Sequence, residues 1–195
     1  MKRLATALML TALASPALAE RADRERPIGL EADRISVDDV KKVQIFEGNV
    51  VLTQGTLIIR ANRIVVTQDE DGFQKGVATG GDGGLARFKQ KREGKDEYIE
   101  GQAERIEHDA RSEKTEFFVR AWVRSGLDEV KGNYISYDAL TEKYLVTSGL
   151  AADGKTPAKA EGGRVRAIIQ PKGKGGGEPT GEPLTLKPAA TVPGK

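Results

Sequence analysis

The chain resembles itself at one fixed offset. Ile28–Val66 lies over Ile99–Tyr137, 71 positions on, without a gap. The identical pairs are Ile28/Ile99, Ala32/Ala103, Arg34/Arg105, Ile35/Ile106, Asp38/Asp109, Phe46/Phe117, Gly55/Gly126, Asn62/Asn133 and Ile64/Ile135. Ile59/Val130 and Arg60/Lys131 are conservative matches in the same register. A fixed period of this kind means one supersecondary unit used twice, each copy covering the open apolar face of the other. Two stacked units make an elongated body with an internal groove, which suits a container or conduit better than an enzyme.

The unit is built of strands. Ile28 and Leu30 alternate with Gly29 and Glu31, Ile35 and Val37 with Arg34 and Ser36, and Phe46, Val50 and Leu52 with Glu47, Asn49 and Thr53. The same period of two continues through Leu57 and Ile59, Ile64 and Val66, Ile106 and His108, Ile135 and Tyr137, then Val165, Ala167 and Ile169. Alternation in short runs broken by Gly, Asn and Asp predicts antiparallel strands with one buried face, and the body holds roughly fifteen of them. Asp71-Gly72 predicts a hairpin turn and Gly80–Gly84 a loose loop. No amphipathic helix is visible, so the fold class is all-β. The inward sets are aliphatic, with few aromatics, which leaves a lined cavity and a filled core equally open.

Lys2 and Arg3, the apolar run Leu4–Ala14 and the Ala17-Leu18-Ala19 cleavage signal read as a secretory signal peptide over residues 1–19. Residues 20–26 form a charged, flexible lead-in, 27–171 the folded body, and 172–195, rich in Gly, Pro and Lys, a disordered tail. The whole chain is formally +2, which Lys2 and Arg3 account for, so the mature protein is neutral and has no electrostatic reason to bind nucleic acid. There is no cysteine to supply disulfides in an oxidising compartment.

Four patterns invite a chemical reading and fail it. Gly149, followed by Gly154-Lys155-Thr156, matches a phosphate-binding loop, but Pro157 follows at once and leaves no room for the helix that such a loop needs. Asp69, Asp71 and Gly72 lack the later ligands of a calcium loop. His108 is the only histidine, too little for a zinc site or a Ser-His-Asp triad. Paired carboxylates occur in charged surface runs such as Glu93–Glu97. The sequence therefore nominates no catalytic residue, no metal site and no cofactor.

Five strings carry a family resemblance. Phe46-Glu47-Gly48-Asn49-Val50-Val51-Leu52-Thr53-Gln54-Gly55 is similar to the signature strand pair of the lipopolysaccharide transport protein A and organic solvent tolerance family. Ala61–Thr67 and Ile28–Asp33 match its neighbouring pieces, Lys131–Tyr137 its second copy, and Arg164–Pro171 its last strand. Arg120-Ala121 stands where the second copy often has Gly-Asn, and the Gly76–Gly84 loop is unusually rich in glycine.

The resemblance implies an elongated antiparallel β-jellyroll of two facing sheets, open at both ends. It further implies that the protein carries lipopolysaccharide across the periplasm, the lipid A acyl chains in an apolar groove. By family position Ile28, Leu30, Phe88 and His108 are lipid-contacting, His108 in place of a usual aromatic. Alternation adds Ile35, Phe46, Leu52, Ile64, Ile106 and Ile135 as groove residues. The first strand (Ile28, Gly29, Leu30, Glu31, Ala32) is expected to pair with an inner-membrane-anchored jellyroll. The last (Arg164, Val165, Arg166, Ala167, Ile168, Ile169) is expected to pair with the jellyroll of an outer-membrane translocon, and head-to-tail homo-oligomers would use the same edges. Two rivals stand beside this reading. One is the membrane-anchored component of the same fold, which the cleavable signal disfavours; the other is a structural periplasmic β-protein that binds no lipid.

Overall fold

A computed structural model describes residues 26–170 apart from 71, 93–94, 151–156 and 159–163, with nothing said of the side chains at 157–158. The expected signal peptide, most of the lead-in and the tail lie outside the described residues, as do Asp71 and residues 151–156 of the phosphate-loop match. Gly149–Leu150 pairs antiparallel with Pro157–Ala158, so strands flank that match on both sides.

Fourteen strands are described, one short of the rough expectation. They are β1 (Gly29–Glu31), β2 (Arg34–Asp38), β3 (Val43–Gln54), β4 (Leu57–Asp69), β5 (Gly72–Thr79), β6 (Ala86–Lys91), β7 (Tyr98–Ala103), β8 (Arg105–Asp109), β9 (Lys114–Ser125), β10 (Asp128–Asp138), β11 (Lys143–Thr147), β12 (Gly149–Leu150), β13 (Pro157–Ala158) and β14 (Arg166–Ile168). All described pairings are antiparallel.

Four long strands create the two-layer form because each changes partner part-way along. The first half of β3 pairs with β2 and its second half with β1; β4 passes from β6 to β5, β9 from β8 to β7, and β10 from β14 to β11. Sheet A therefore runs β2, β3, β4, β5, β8, β9, β10, β11, and sheet B runs β1, β3, β4, β6, β7, β9, β10, β14. They face each other: Phe88 of sheet B meets Phe117 of sheet A edge to face, with ring centroids 5.6 Å apart.

A bulge makes each bend. Register slips between Glu47 and Val50, where Gly48 (φ 80°) and Asn49 (φ 46°) oppose Asn62 alone. Glycine and asparagine tolerate that left-handed backbone. In the second copy the slip lies opposite Asn133, and positive φ falls on Val119 (62°) and Arg120 (53°). The unusual pair is thus Val119-Arg120, the 71-residue counterparts of Gly48-Asn49 and one residue earlier than the family resemblance placed it. Each bulge is pinned by an equivalent bond, Asp33 N–H to Gly48 O at 3.0 Å and Glu104 N–H to Val119 O at 3.1 Å. The bulge puts one extra residue on β3 and so shifts the relative alternation of the two strands. The buried residues of β3, Phe46, Val50 and Leu52, keep one parity, while the buried set of β4 moves from Leu57, Ile59 and Ala61 to Ile64 and Val66.

The hairpin ends of sheet A repeat as well. Asp38, Asp109 and Asp138 each accept, through Oδ1, the N–H three residues on, at 2.9 Å from Lys41, Ser112 and Thr141. The next residue, Lys42, Glu113 or Glu142, takes φ of 55°, 53° or 52°. Such Asx turns preorganise the loop, so three hairpins close with one geometry.

Candidate functional site: the apolar groove and its open ends

The interior between the sheets is one continuous apolar cluster from Phe46 to Tyr137, flanked by Ile28, Leu30, Phe73 and Val146. Of the ten expected groove residues, nine are buried in or packed against this interior, and Ile35, 54% exposed, stands on the edge strand β2 at its mouth. Ile28, Leu30, Ile35 and Phe46 line an open cavity of about 310 Å³ at the N-terminal end, together with Gln44, Val66, Gln68 and Phe73. Leu52, Ile64, Phe88, Ile106, His108 and Ile135 are sealed in the core. The choice between cavity and filled core therefore resolves by position: the middle is filled, and space opens towards β1 and β2.

The middle is filled because an aromatic pair does what aliphatic side chains alone would not. Phe117 is fully buried against Phe88, and its ring occupies the space a side chain on Gly101 would need. Phe117 is the repeat mate of Phe46, so the 71-residue period already held the signal that nominates it. Phe73 carried no such signal. It follows a hairpin whose register slips between Thr67 and Gln68, which removes it from the alternation of β5.

His108 is the polar exception inside. Its Nδ1 lies 3.0 Å from Thr115 Oγ1 on the neighbouring strand. Burial pushes its pKa down to about 4, against a small upward pull from Asp109, so the ring is neutral in the folded protein. Among the described residues no cluster of three His, Asp or Glu side chains is placed to hold a metal ion.

The rim of the groove is formed by two rows of hairpin ends. On the sheet A side, backbone bonds knit neighbouring ends together: Gln68 N–H to Lys42 O (2.9 Å), Ala110 N–H to Gln74 O (3.0 Å) and Ala139 N–H to Glu113 O (3.0 Å). On the sheet B side, Lys91 N–H reaches Thr56 Oγ1 (3.2 Å) and Arg92 Nη1 reaches Ser125 Oγ (3.3 Å). Towards the N-terminal end the two rows flank a cavity of about 500 Å³, with Arg26, Ile28 and Gln54 on one side and Gln68, Phe73 and Arg111 among those on the other. Further along, Arg92 grips Glu142 with both ends of its fork, Nε to Oε1 at 3.1 Å and Nη2 to Oε2 at 2.8 Å, and Lys95 adds a third bond at 2.9 Å. These bonds from Arg92 and Lys95 hold the Glu142 carboxyl below the usual glutamate range.

Among the described residues, both ends of the body present strands with one neighbour: at the N-terminal end β1 and β2 pair with β3 alone, and at the C-terminal end β11 and β14 pair with β10 alone. The sequence nominated β1 and β14; β2 and β11 belong with them. Apolar side chains stand exposed on these edges, among them Ile35 (54% exposed), Val37, Leu145, Val165 and Ile169 (78%).

Comparison with known proteins agrees with this architecture. Residues 29–143 match the family described as LptA/(LptD N-terminal domain) LPS transport protein. The lipopolysaccharide export system protein LptA of Escherichia coli strain K12 is 32% identical over 176 residues, spanning 82% of this chain and 94% of that one. The corresponding protein LptH of Pseudomonas aeruginosa is 29% identical over 160 residues, spanning 82% and 88%. The crystal structure of Pseudomonas aeruginosa LptH, described as the LptA-homologous periplasmic component of the lipopolysaccharide transport device, has the same fold. It superposes with a TM-score of 0.67 at 24% identity, covering 76% of this chain and 99% of that one. The match spans the repeat, the two bulges and the groove together, and the chain belongs to the LptA/LptD N-terminal domain family of lipopolysaccharide transport proteins.

Proposed function

We propose that this protein is a periplasmic carrier of lipopolysaccharide, one span of a bridge from an inner-membrane-anchored jellyroll to the jellyroll of an outer-membrane translocon. The observation that carries the reading is the open apolar cavity bordered by Ile28, Leu30, Ile35, Phe46, Val66 and Phe73. Acyl chains gain about 0.8 kcal/mol for each CH₂ removed from water, so an apolar slot of this kind favours them strongly. The sugar head stays in solvent along the rim. The carrier performs no catalysis; the chain offers a surface along which lipid moves, and the drive comes from its partners.

The bridge reading draws support from the joint between the two copies within the chain. There β5 pairs with β8 and β6 with β7, and β8 and β7 are the second-copy counterparts of β2 and β1. Extending that pattern past the C-terminal end pairs β11 with β2, and β14 with β1, of the next molecule. The internal registers then transfer: Lys143 opposite Asp38, Tyr144 opposite Val37 and Val146 opposite Ile35 in sheet A; Arg166 opposite Glu31, Ala167 opposite Leu30 and Ile169 opposite Ile28 in sheet B. The inward partners in this set are apolar, and the two charged pairs have opposite signs. Main-chain pairing of this kind between unlike surfaces does not close, so it propagates.

Photocrosslinking of lipopolysaccharide in intact cells tests the carrier reading, with the crosslinker at half-buried Leu30 or at its exposed neighbour Glu31. Adducts at Leu30 and not at Glu31 support it. Adducts at neither position, in a folded and exported protein, favour a structural β-protein that binds no lipid. The filled middle at Phe88 and Phe117 is the observation on that side.

A further inference from the structure

The rim of the groove differs in its two halves, although the halves are repeats. Three hairpins of sheet A carry the same Asx turn, and the residue in its left-handed position is Lys42, Glu113 or Glu142. Glycine or asparagine suits that backbone best, and a longer side chain there costs stability that something else must offset. Lys42 is exposed, and its backbone carbonyl accepts the Gln68 N–H of the neighbouring hairpin. Glu142 reaches across to sheet B, where Arg92 takes it in a two-pronged grip and Lys95 binds the same carboxylate. Arg92 is itself positioned on Ser125 Oγ, at the end of the neighbouring hairpin of sheet B. Beneath this bridge the rings of Tyr137 and Tyr144 stack with centroids 4.8 Å apart. At the other half of the rim, the same two rows both line the cavity of about 500 Å³.

We propose that Arg92 and Glu142 form a latch across the open side of the groove, and that Glu142 is a positioning residue which keeps acyl chains out of the C-terminal half until the rim parts. The proposal rests on the carrier reading for its ligand, and on geometry alone for the latch itself. A chain loaded at the Ile28 and Phe73 end enters at the cavity between the two rows. To advance past Phe88 and Phe117 it must spread the sheets, and at that point the rim is held by a charge-assisted, bidentate pair. Such pairs are the strong, directional class of hydrogen bond, and a single bridge of this kind can hold two sheet edges together. Arg92 is mostly covered, so the pair is less screened than an ordinary surface ion pair.

The test uses the absence of native cysteine. Spin labels on Leu127→Cys and Leu140→Cys, exposed positions near the hairpin ends of sheet B and sheet A, report rim width as a distance distribution. The ligand-free wild-type background is expected to give one narrow distribution. Glu142→Gln is expected to raise the open population roughly tenfold without ligand, the change that loss of about 1.4 kcal/mol of pairing produces. The exchanged pair Arg92→Glu with Glu142→Arg is expected to restore the narrow distribution, which excludes a mere folding defect. Purified lipopolysaccharide is expected to broaden the wild type, and to reach a photocrosslinker at Tyr144 sooner in Glu142→Gln. A narrow distribution in ligand-free Glu142→Gln overturns the latch. Failure of lipopolysaccharide to bind any form overturns the carrier reading while leaving the ligand-free comparison to decide the latch.

Discussion

The ring of Phe117 on sheet A stands in the space that a side chain at Gly101 on sheet B would occupy, so the two sheets reach contact distance at that point. The ring has no free volume to move into, because Phe88 packs against its face or edge and the residue is fully buried. Gly101→Ala is therefore expected to destabilise the protein by about 1–3 kcal/mol, the usual cost of overpacking. Adding Phe117→Leu is expected to recover part of the loss. Urea unfolding of the two single variants and the double variant measures the coupling, and simple additivity would count against contact across the sheets.

The bulges make a second prediction. Val119 is β-branched yet holds φ of 62°, where its repeat mate is Gly48. Val119→Gly is expected to raise stability by about 1 kcal/mol, since a left-handed backbone costs a non-glycine residue about 1–2 kcal/mol and glycine gives back part of that in entropy. Gly48→Val is expected to do the reverse and by more, because a Cβ there also collides with the Asp33 carboxylate. Denaturation midpoints at constant m-value decide both.

His108 gives the fold a pH dependence of known sign. The imidazole titrates at about 4 in the folded protein and about 6.5 when unfolded, because burial disfavours the charged ring. The unfolded chain thus binds the proton more readily, and stability is complete above pH 6.5 and is lost as pH falls towards 4. The full loss is about 3 kcal/mol at about 1.4 kcal/mol per pK unit. His108→Gln is expected to flatten the stability profile by close to one proton between pH 6 and 4.5. An unchanged slope would show that Thr115 and Asp109, the groups facing the ring, already hold it charged.

Lipid loading should depend on the apolar wall at the N-terminal end. Ile28→Asp puts a carboxylate into the mouth shared by the 310 Å³ and 500 Å³ cavities. It is expected to abolish lipopolysaccharide adducts at Leu30 while the melting temperature changes little, since Ile28 is only half-buried. Normal loading by this variant would count against the inward assignment of β1.

End-to-end docking is checked by oxidation of cysteine variants. Leu30→Cys mixed with Ala167→Cys is expected to form a disulfide-linked dimer, whereas Leu30→Cys with Ile168→Cys is not, because one residue of slip turns the side chain to the other face. Equal yields from both mixtures would refute the transferred register.

Much of the architecture could be read from the sequence because its two signals are periodic. The 71-residue repeat and the alternation of Ile28, Leu30, Phe46, Leu52, Ile64 and Ile135 depend on neighbours along the chain, and so did the all-β reading. The positions that were misjudged lie where the period breaks. A register slip between Thr67 and Gln68 hid Phe73, and the family pattern set the second bulge at Arg120-Ala121 although the 71-residue offset carries Gly48-Asn49 onto Val119-Arg120. Edge status was also hidden, since β2 and β11 read like any other strand until their pairing is known. The fork between Arg92 and Glu142 joins residues fifty positions apart, and nothing local in either segment announces it.

The joint between β5 and β8, and between β6 and β7, has a consequence for any assembly of these molecules. Each chain is already a polymer of two units, and a filament of chains would be a single ribbon in which the molecular boundary is a break in covalent connectivity with no change of lattice. A ribbon of that kind has no internal ruler. Its length is set by whatever covers its two terminal faces, so the span between two membranes would be adjusted by counting molecules, in steps of two repeats.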